Sequence, residues 1–139
     1  MRQILLVDDN PADCDLTTLV LSRCRPPSQI HTVFDGEQAL AFLHRAGEFA
    51  EAFRPQLVVL DLNLPRKDGR AVLGEIKLNP ELRKIPVVIF STSRSGQDVG
   101  RCYDLGANCY VSKPGNLEEF FSAVRSIEEF WLRSVCLPN

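Results

Sequence analysis

Reactive side chains follow several short apolar segments of this chain, at the point where each segment stops. Asp8 and Asp9 follow the first apolar segment, and Asp61 follows a later one. Ser91 and Lys113 stand in the same place after two further segments. Continuous apolar runs are typical of strands buried on both faces of a parallel sheet. These side chains are therefore expected at the carboxyl edge of the sheet, where open α/β sheets bind ligands.

Three carboxylates held close together repel one another, and one takes up a proton unless a cation offsets the charge. An all-oxygen site suits Mg²⁺, which keeps several water molecules and binds phosphate-type ligands. The Lys113 ammonium and the Ser91 hydroxyl can contact further phosphoryl oxygens. Asp61 is thus a candidate carboxylate nucleophile that forms an aspartyl phosphate. Each residue alone has a plain explanation as a turn former or a solvated lysine, but the full set at four strand ends indicates a site.

Alternating segments position these residues. The predicted strands are 3–7, 30–34, 56–60, 86–90 and 109–111, and the predicted helices are 11–24, 37–46, 69–78, 97–105 and 117–133. Asn10-Pro11 is a favourable helix start, and Asn79-Pro80 ends another helix. Five alternations predict a parallel sheet with helices on both faces.

Composition limits the class of protein. The 139 residues suit one domain, which we expect to span 1–139 without an output domain. The net charge of −2 gives no support to nucleic-acid binding. No apolar run approaches the ~18 residues that span a membrane, and the first residues run straight into a strand rather than a signal peptide. We therefore expect a cytoplasmic protein.

The cysteines carry no recognisable metal or redox motif. No two of the five are in a CxxC spacing, and neither histidine lies close in sequence to a cysteine pair. We expect free thiols in a reducing compartment. The five are Cys14, Cys24, Cys102, Cys109 and Cys136.

The reactive residues lie in motifs that resemble the receiver domain of two-component response regulators. Asp61 precedes Ser91 by 30 positions and Lys113 by 52, which fits that family. The resemblance covers essentially the whole chain and implies a flavodoxin-like doubly wound (βα)5 fold with strand order 2-1-3-4-5. The motifs are Leu6-Val7-Asp8-Asp9-Asn10, Asp61-Leu62-Asn63-Leu64-Pro65-Arg66-Lys67-Asp68-Gly69, Ser91-Thr92-Ser93 and Lys113-Pro114.

The resemblance implies a role for each residue of the site. Asp61 matches the phospho-acceptor, which receives its phosphoryl group from a sensor histidine kinase. Asp8, Asp9, Asp61 and the backbone carbonyl of Asn63 match the Mg²⁺ ligands. Lys113 matches the lysine that contacts a phosphoryl oxygen. A protein of this kind catalyses only its own phosphorylation and dephosphorylation.

The resemblance also implies a conformational switch. Ser91 matches the hydroxyl residue that moves toward the phosphoryl group, and Tyr110 matches the aromatic residue that turns inward. Three further stretches resemble the small single-domain regulators paired with bacterial and cyanobacterial phytochrome kinases, so we expect such a kinase as partner. These stretches are Ser91-Thr92-Ser93-Arg94, Ala107-Asn108-Cys109-Tyr110-Val111-Ser112-Lys113-Pro114 and the tail from Phe130-Trp131-Leu132 to Leu137-Pro138.

The last helix suggests a second contact surface. Phe130 lies off the apolar stripe of this helix, roughly 120° from Val124, among polar residues. We expect Phe130, together with Leu137, to contribute to a homodimer. The stripe predicted to face the core is Leu117, Phe120, Phe121, Val124, Ile127, Trp131 and Val135.

Three alternative functions are less well supported by the residues. A haloacid-dehalogenase-type phosphatase needs a second acid two positions after its nucleophile, where this chain has Asn63, which cannot donate a proton in that way. A flavin or dinucleotide module has no support, because no GxGxxG or GxxxxGK sequence occurs. A receiver-like interaction scaffold that is never phosphorylated is the remaining alternative.

Overall fold

The structure is a computed structural model that describes residues 2–23 and 27–138. Within these residues five strands alternate with five α-helices. The strands are β1 Arg2–Val7, β2 Ser28–Val33, β3 Leu57–Leu60, β4 Val87–Ser91 and β5 Cys109–Ser112. The helices are α1 Pro11–Ser22, α2 Gly36–Leu43, α3 Gly69–Leu78, α4 Gly96–Asp104 and α5 Leu117–Glu128, with a 3₁₀ turn Gly47–Phe49 and a π-helical turn Glu129–Ser134. Cys24, the predicted last residue of α1, lies outside the described residues.

The five strands form one parallel sheet in the order β2-β1-β3-β4-β5, which confirms the predicted fold class. Alternate residues of the strands face opposite sides, so the sheet has two apolar cores. One core lies beneath α2, α3 and α4, and the other beneath α1 and α5. Because both faces are covered, β1, β3 and β4 need the continuous apolar sequences that predicted them.

The segment after α2 differs from the prediction. The helix ends at Leu43 rather than at residue 46, because Arg45 adopts a positive φ of 54° that no α-helix accommodates. The connection from α2 to β3 also contributes side chains to the core. The rings of Phe49 and Phe53 lie 5.4 and 5.2 Å from that of Phe42 and extend the core.

The structure differs most clearly from the prediction at the end of α5. A π-helical turn follows Glu128, closed by a hydrogen bond from the Val135 N–H to the Phe130 carbonyl. This wider turn changes the helical register. Leu132 is therefore fully buried although the predicted stripe omitted it. At the other end of the helix, before this turn, Leu117 is 57% exposed although the stripe included it. Phe130 is exposed, as predicted.

The described part of the chain contains no helix with the length and apolar character needed to cross a membrane. The four cysteines that the structure describes are free thiols, as predicted. Cys14 and Cys102 are buried, Cys109 is partly buried and Cys136 is exposed.

Candidate functional site

The three predicted acids meet at the carboxyl edge of the sheet. Val7 and Leu60 are register partners in β1 and β3, and the Asp61 N–H donates to the Val7 carbonyl at 2.9 Å. One carboxylate oxygen each from Asp8, Asp9 and Asp61 lie within 4.8 Å of one another. Asp8 and Asp61 are buried and Asp9 is exposed, so the cluster has a solvent-facing side.

Lys113 lies inside this cluster. Its Nζ donates hydrogen bonds to Asp8 Oδ2 at 2.7 Å, to Asp61 Oδ2 at 3.1 Å and to Asp13 Oδ2 at 3.0 Å. An ammonium has three N–H donors, so these contacts use all of them. The residue is only 5% exposed, which rules out the solvated-loop explanation. We call Asp8, Asp13, Asp61 and Lys113 the lysine cluster.

Backbone groups fix the second oxygen of both buried acids. Asp8 Oδ1 accepts from the Asn10 N–H at 3.0 Å, and Asp61 Oδ1 accepts from the Leu62 N–H at 2.7 Å. Each carboxylate is thus held between a backbone amide and the Lys113 ammonium. The two acids are therefore oriented before any ligand binds.

A glycine is required beside Asp61. A Cβ at Gly69 would lie 2.2 Å from the Asp61 carbonyl oxygen, which no other residue tolerates. The Gly69 N–H donates to the Leu62 carbonyl at 2.8 Å and starts α3 against the strand end. The Asp68-Gly69 pair therefore allows α3 to pack directly on the backbone that carries Asp61.

The surroundings in the lysine cluster raise the pKa of both Asp8 and Lys113. Burial raises the pKa of Asp8 to about 6, although the hydrogen bond from Lys113 opposes this shift. Burial would lower the pKa of Lys113, but the hydrogen bond to Asp8 and the charges of Asp8 and Asp61 outweigh it and raise the pKa. Lys113 therefore stays protonated and offsets the charge of the acids.

The acid cluster has the chemistry of a divalent-cation site. Asp8, Asp9 and Asp61 offer only carboxylate oxygens, the donors that hard cations prefer. Asn63, predicted to add a backbone carbonyl, is exposed on the loop that follows Asp61. The described residues of this edge fit a divalent metal.

The two predicted switch residues lie beside this edge. Ser91 is fully buried, and its Oγ makes no hydrogen bond of good geometry within the described residues. Tyr110 is partly buried, and its hydroxyl donates to the Ser93 carbonyl at 2.8 Å. Burial raises the pKa of Tyr110, while the nearby Ser93 and Ser91 lower it. Ser91 therefore lies close enough to Tyr110 for the two switch residues to influence one another.

A polar chain continues from Tyr110 toward α3. The Ser93 hydroxyl donates to Asp98 Oδ2 at 2.6 Å, and Arg70 donates to Asp98 Oδ1 at 2.8 Å. Arg70 also pairs with Asp68 at 3.1 Å. We call Asp68, Arg70, Ser93, Asp98 and Tyr110 the Asp98 network. It ties the loop after β4 to the start of α3.

Sequence reasoning missed Asp13 and the Asp98 network. Asp13 lies in the first turn of α1, where acids are common because they interact favourably with the helix dipole. Arg70 and Asp98 lie 28 positions apart and have no pattern that distinguishes them from ordinary surface charges. Only the tertiary arrangement brings these residues to the site.

The two residues predicted to form a dimer differ in their exposure. Phe130 is 54% exposed, and its ring meets that of Trp131 at 5.1 Å in an edge-on arrangement. Leu137 is partly buried against the core beneath α1 and α5. Phe130 therefore offers the larger apolar surface to a partner.

Comparisons with known proteins agree with this geometry. A family model described as "Response regulator receiver domain" matches residues 4–125. Response regulator Rcp1 of Synechocystis sp. is 48% identical over 137 residues, covering 99% of this chain and 93% of Rcp1.

Two solved structures are similar over nearly the full length. A Mn²⁺-bound form of response regulator Rcp1 has a TM-score of 0.97 at 47% identity and covers 100% of both chains. A phosphorylated cyanobacterial phytochrome response regulator, RcpA, has a TM-score of 0.96 at 49% identity and covers 99% of both. The predicted likeness to phytochrome regulators is confirmed. The chain belongs to the response regulator receiver domain family, whose members are two-component signalling proteins rather than metabolic enzymes.

Proposed function

We propose that Asp61 accepts a phosphoryl group from the phosphohistidine of a sensor kinase. The observation that carries this proposal is the position of the Asp61 carboxylate at a strand end, with one oxygen on the Leu62 amide and the other on Lys113. A carboxylate fixed at both oxygens loses little freedom when it attacks. The structure of RcpA in a phosphorylated form adds support from a relative.

We further propose Mg²⁺ as the cation, held by Asp8, Asp9, Asp61 and the Asn63 carbonyl. The cluster geometry and the Mn²⁺ in the Rcp1 structure support a hard divalent ion. When bound, the cation neutralises charge on the transferring phosphoryl group. A small, strongly hydrated ion also leaves room for phosphoryl oxygens in its coordination shell.

Lys113 and Ser91 act on the phosphoryl oxygens. Lys113 has its ammonium at the acceptor carboxylate, where it stabilises the charge that develops during transfer. The buried Ser91 hydroxyl can donate a hydrogen bond to a phosphoryl oxygen without breaking an existing one. Movement of Ser91 then alters its neighbour Tyr110, which changes the surface around α4, β5 and α5.

The kinase that we propose as donor is of the phytochrome type, because both Rcp1 and RcpA are similar along almost the whole chain and RcpA is described as a phytochrome response regulator. Such a partner places the protein in the cytoplasm, where the kinase domain and its nucleotide are found. We propose that residues 1–139 act as a receiver domain and pass the signal on through protein contacts.

The test is intact mass after incubation with acetyl phosphate and Mg²⁺. Wild type and Asp15→Asn, which removes an exposed acid of α1, are expected to gain one phosphoryl group. Asp61→Asn is expected to gain none. If wild type gains no phosphoryl group from acetyl phosphate or from a phytochrome-type kinase, the protein acts instead as a receiver-like interaction scaffold.

We also propose a homodimer through Phe130 and Leu137. Phe130→Glu places a charge on the exposed ring position and is expected to weaken the dimer at least about tenfold by desolvation of that charge. Leu78→Glu is the matched control, because Leu78 is an 86% exposed apolar residue at the end of α3. Molar mass is measured by light scattering over a concentration series, with and without phosphoryl donor. Equal masses for wild type and Phe130→Glu would exclude this contact.

A further inference from the structure

Asp13 contacts the lysine of the site although it belongs to neither the acid cluster nor the switch. Its Oδ2 lies 3.0 Å from Lys113 Nζ, and its side chain is 23% exposed. The position is well defined, because the Asp13 N–H donates to the side chain of Asn10, the cap of α1, at 3.1 Å. The first turn of α1 therefore presents this carboxylate to the ammonium.

The three acceptors of Lys113 differ in what else they can do. Asp8 and Asp61 belong to the acid cluster, so a cation bound there competes with Lys113 for both of them. Asp13 lies outside that cluster and can keep its contact with the ammonium when the other two are drawn to a cation. Of these three carboxylates, Asp13 is thus the one that continues to offset the charge of Lys113.

We propose that Asp13 restrains the phosphorylation of Asp61 by acting through Lys113. It occupies one of the three N–H donors and adds a negative charge close to where a phosphoryl group must arrive. Both effects oppose transfer, because the transition state carries negative charge that the ammonium stabilises. Asp13 is a positioning residue in this account, and the inference rests on the proposed role of Asp61.

The partial exposure of the Asp13 side chain determines how strongly it slows phosphorylation. A unit charge a few ångströms from the site, partly screened by solvent, changes a rate by roughly threefold to tenfold. The effect depends on the charge of the donor. Acetyl phosphate is largely a dianion near neutral pH and is repelled more than phosphoramidate, which carries less net negative charge.

The experiment measures the initial rate of phosphorylation with each donor at fixed Mg²⁺. Asp13→Asn keeps the shape and an acceptor oxygen but removes the charge, and Asp13→Glu keeps the charge. Asp15→Asn is the matched control, because it removes the same charge from an exposed position of the same helix. Thermal unfolding of each variant establishes that it is folded.

Asp13→Asn is expected to be about threefold to tenfold faster than wild type with acetyl phosphate, and by a smaller factor with phosphoramidate. Asp13→Glu is expected to be closer to wild type than Asp13→Asn, and Asp15→Asn is expected to match wild type. A rate equal to or below that of wild type for Asp13→Asn overturns the inference and leaves the proposed function standing. If neither wild type nor Asp13→Asn is phosphorylated by any donor, both proposals fall together.

Discussion

The lysine cluster and the Asp98 network are both chains of charged and polar groups, but they differ in burial. Lys113 and Asp8 have side chains only 3% exposed, whereas Arg70 and Asp98 are 21% and 28% exposed. Charges taken out of water are costly to leave unpaired, while partly exposed pairs contribute little. The first arrangement is therefore suited to chemistry at a fixed geometry, and the second to a contact that is made and broken.

The two regions also differ in the elements of the fold that carry their residues. Asp8, Asp61 and Lys113 follow the ends of three strands of one sheet and are held by backbone hydrogen bonds. The Asp98 network joins a loop to the starts of two helices. The side chain of Tyr110, which lies in β5, is thus tied to a loop and to helix starts rather than to the acids at the strand ends.

The largest effect is expected from removal of the Lys113 ammonium, the positive charge of the lysine cluster. Lys113→Met leaves two buried acids without their ion pair, which is expected to lower the free energy of unfolding by about 3 kcal/mol without metal. Urea unfolding measures this change. Mg²⁺ is expected to recover part of the loss, since a divalent cation replaces the missing positive charge.

The matched control is Arg94→Met, which removes a positive charge from an exposed position and is expected to leave stability unchanged. An equal effect of the two substitutions would mean that the lysine cluster is no more tightly coupled than the surface, and the contrast with the Asp98 network would be lost.

An intermediate effect is expected from pH. The pKa of Asp8 is raised from 3.8 to about 6 in the folded protein without metal, so protons compete with a cation for this carboxylate as the pH falls through 6. Apparent Mg²⁺ affinity is expected to fall about tenfold between pH 7 and pH 5 because of this one group. Calorimetric titration measures it.

The same shift predicts the direction of the stability change without metal. The folded state holds the Asp8 proton more tightly than the unfolded state does, so the contribution of Asp8 to stability is full below about pH 4 and is lost as the pH rises through 6. Asp8→Asn is expected to remove both the pH dependence of Mg²⁺ affinity and the pH dependence of stability that arise from this group. If it changes neither, burial does not control the charge of this site.

The smallest effect is expected in the Asp98 network. Arg70→Gln breaks partly exposed ion pairs with Asp68 and Asp98, and the unfolding temperature is expected to change by less than about 2 °C. The local effect should be visible, because Asp98 holds Ser93, and the Ser93 carbonyl accepts from Tyr110. NMR of the Tyr110 ring measures it, with Arg125→Gln at an exposed position of α5 as control. A large loss of stability would show that this network is structural.

The sheet and the reactive residues at its edge were predictable because their signals are local. A buried parallel strand requires an apolar run, and the residue that follows it, such as Asp8, Asp61 or Ser91, must then lie at the carboxyl edge. The topology brings these ends together whatever the details of each helix.

The end of α5 and the contacts of Asp13 were not predictable, because they depend on contacts between distant segments. The π-helical turn after Glu128 gives no periodic signal and moves Leu132 into the core. The pairing of Asp13 with Lys113 spans 100 positions and depends on how α1 starts against the sheet. An acid in the first turn of a helix has the same sequence context whether or not it meets a lysine.

The residue that carries the phosphoryl group can be located directly. Protein phosphorylated with acetyl phosphate and Mg²⁺ is reduced with borohydride, which converts an aspartyl phosphate to homoserine, and the peptides are sequenced by mass spectrometry. Homoserine is expected at position 61 in wild type and in Asp15→Asn, and none is expected in Asp61→Asn. Homoserine at position 8, 9 or 13 instead of 61 would contradict the assignment of Asp61 as the acceptor.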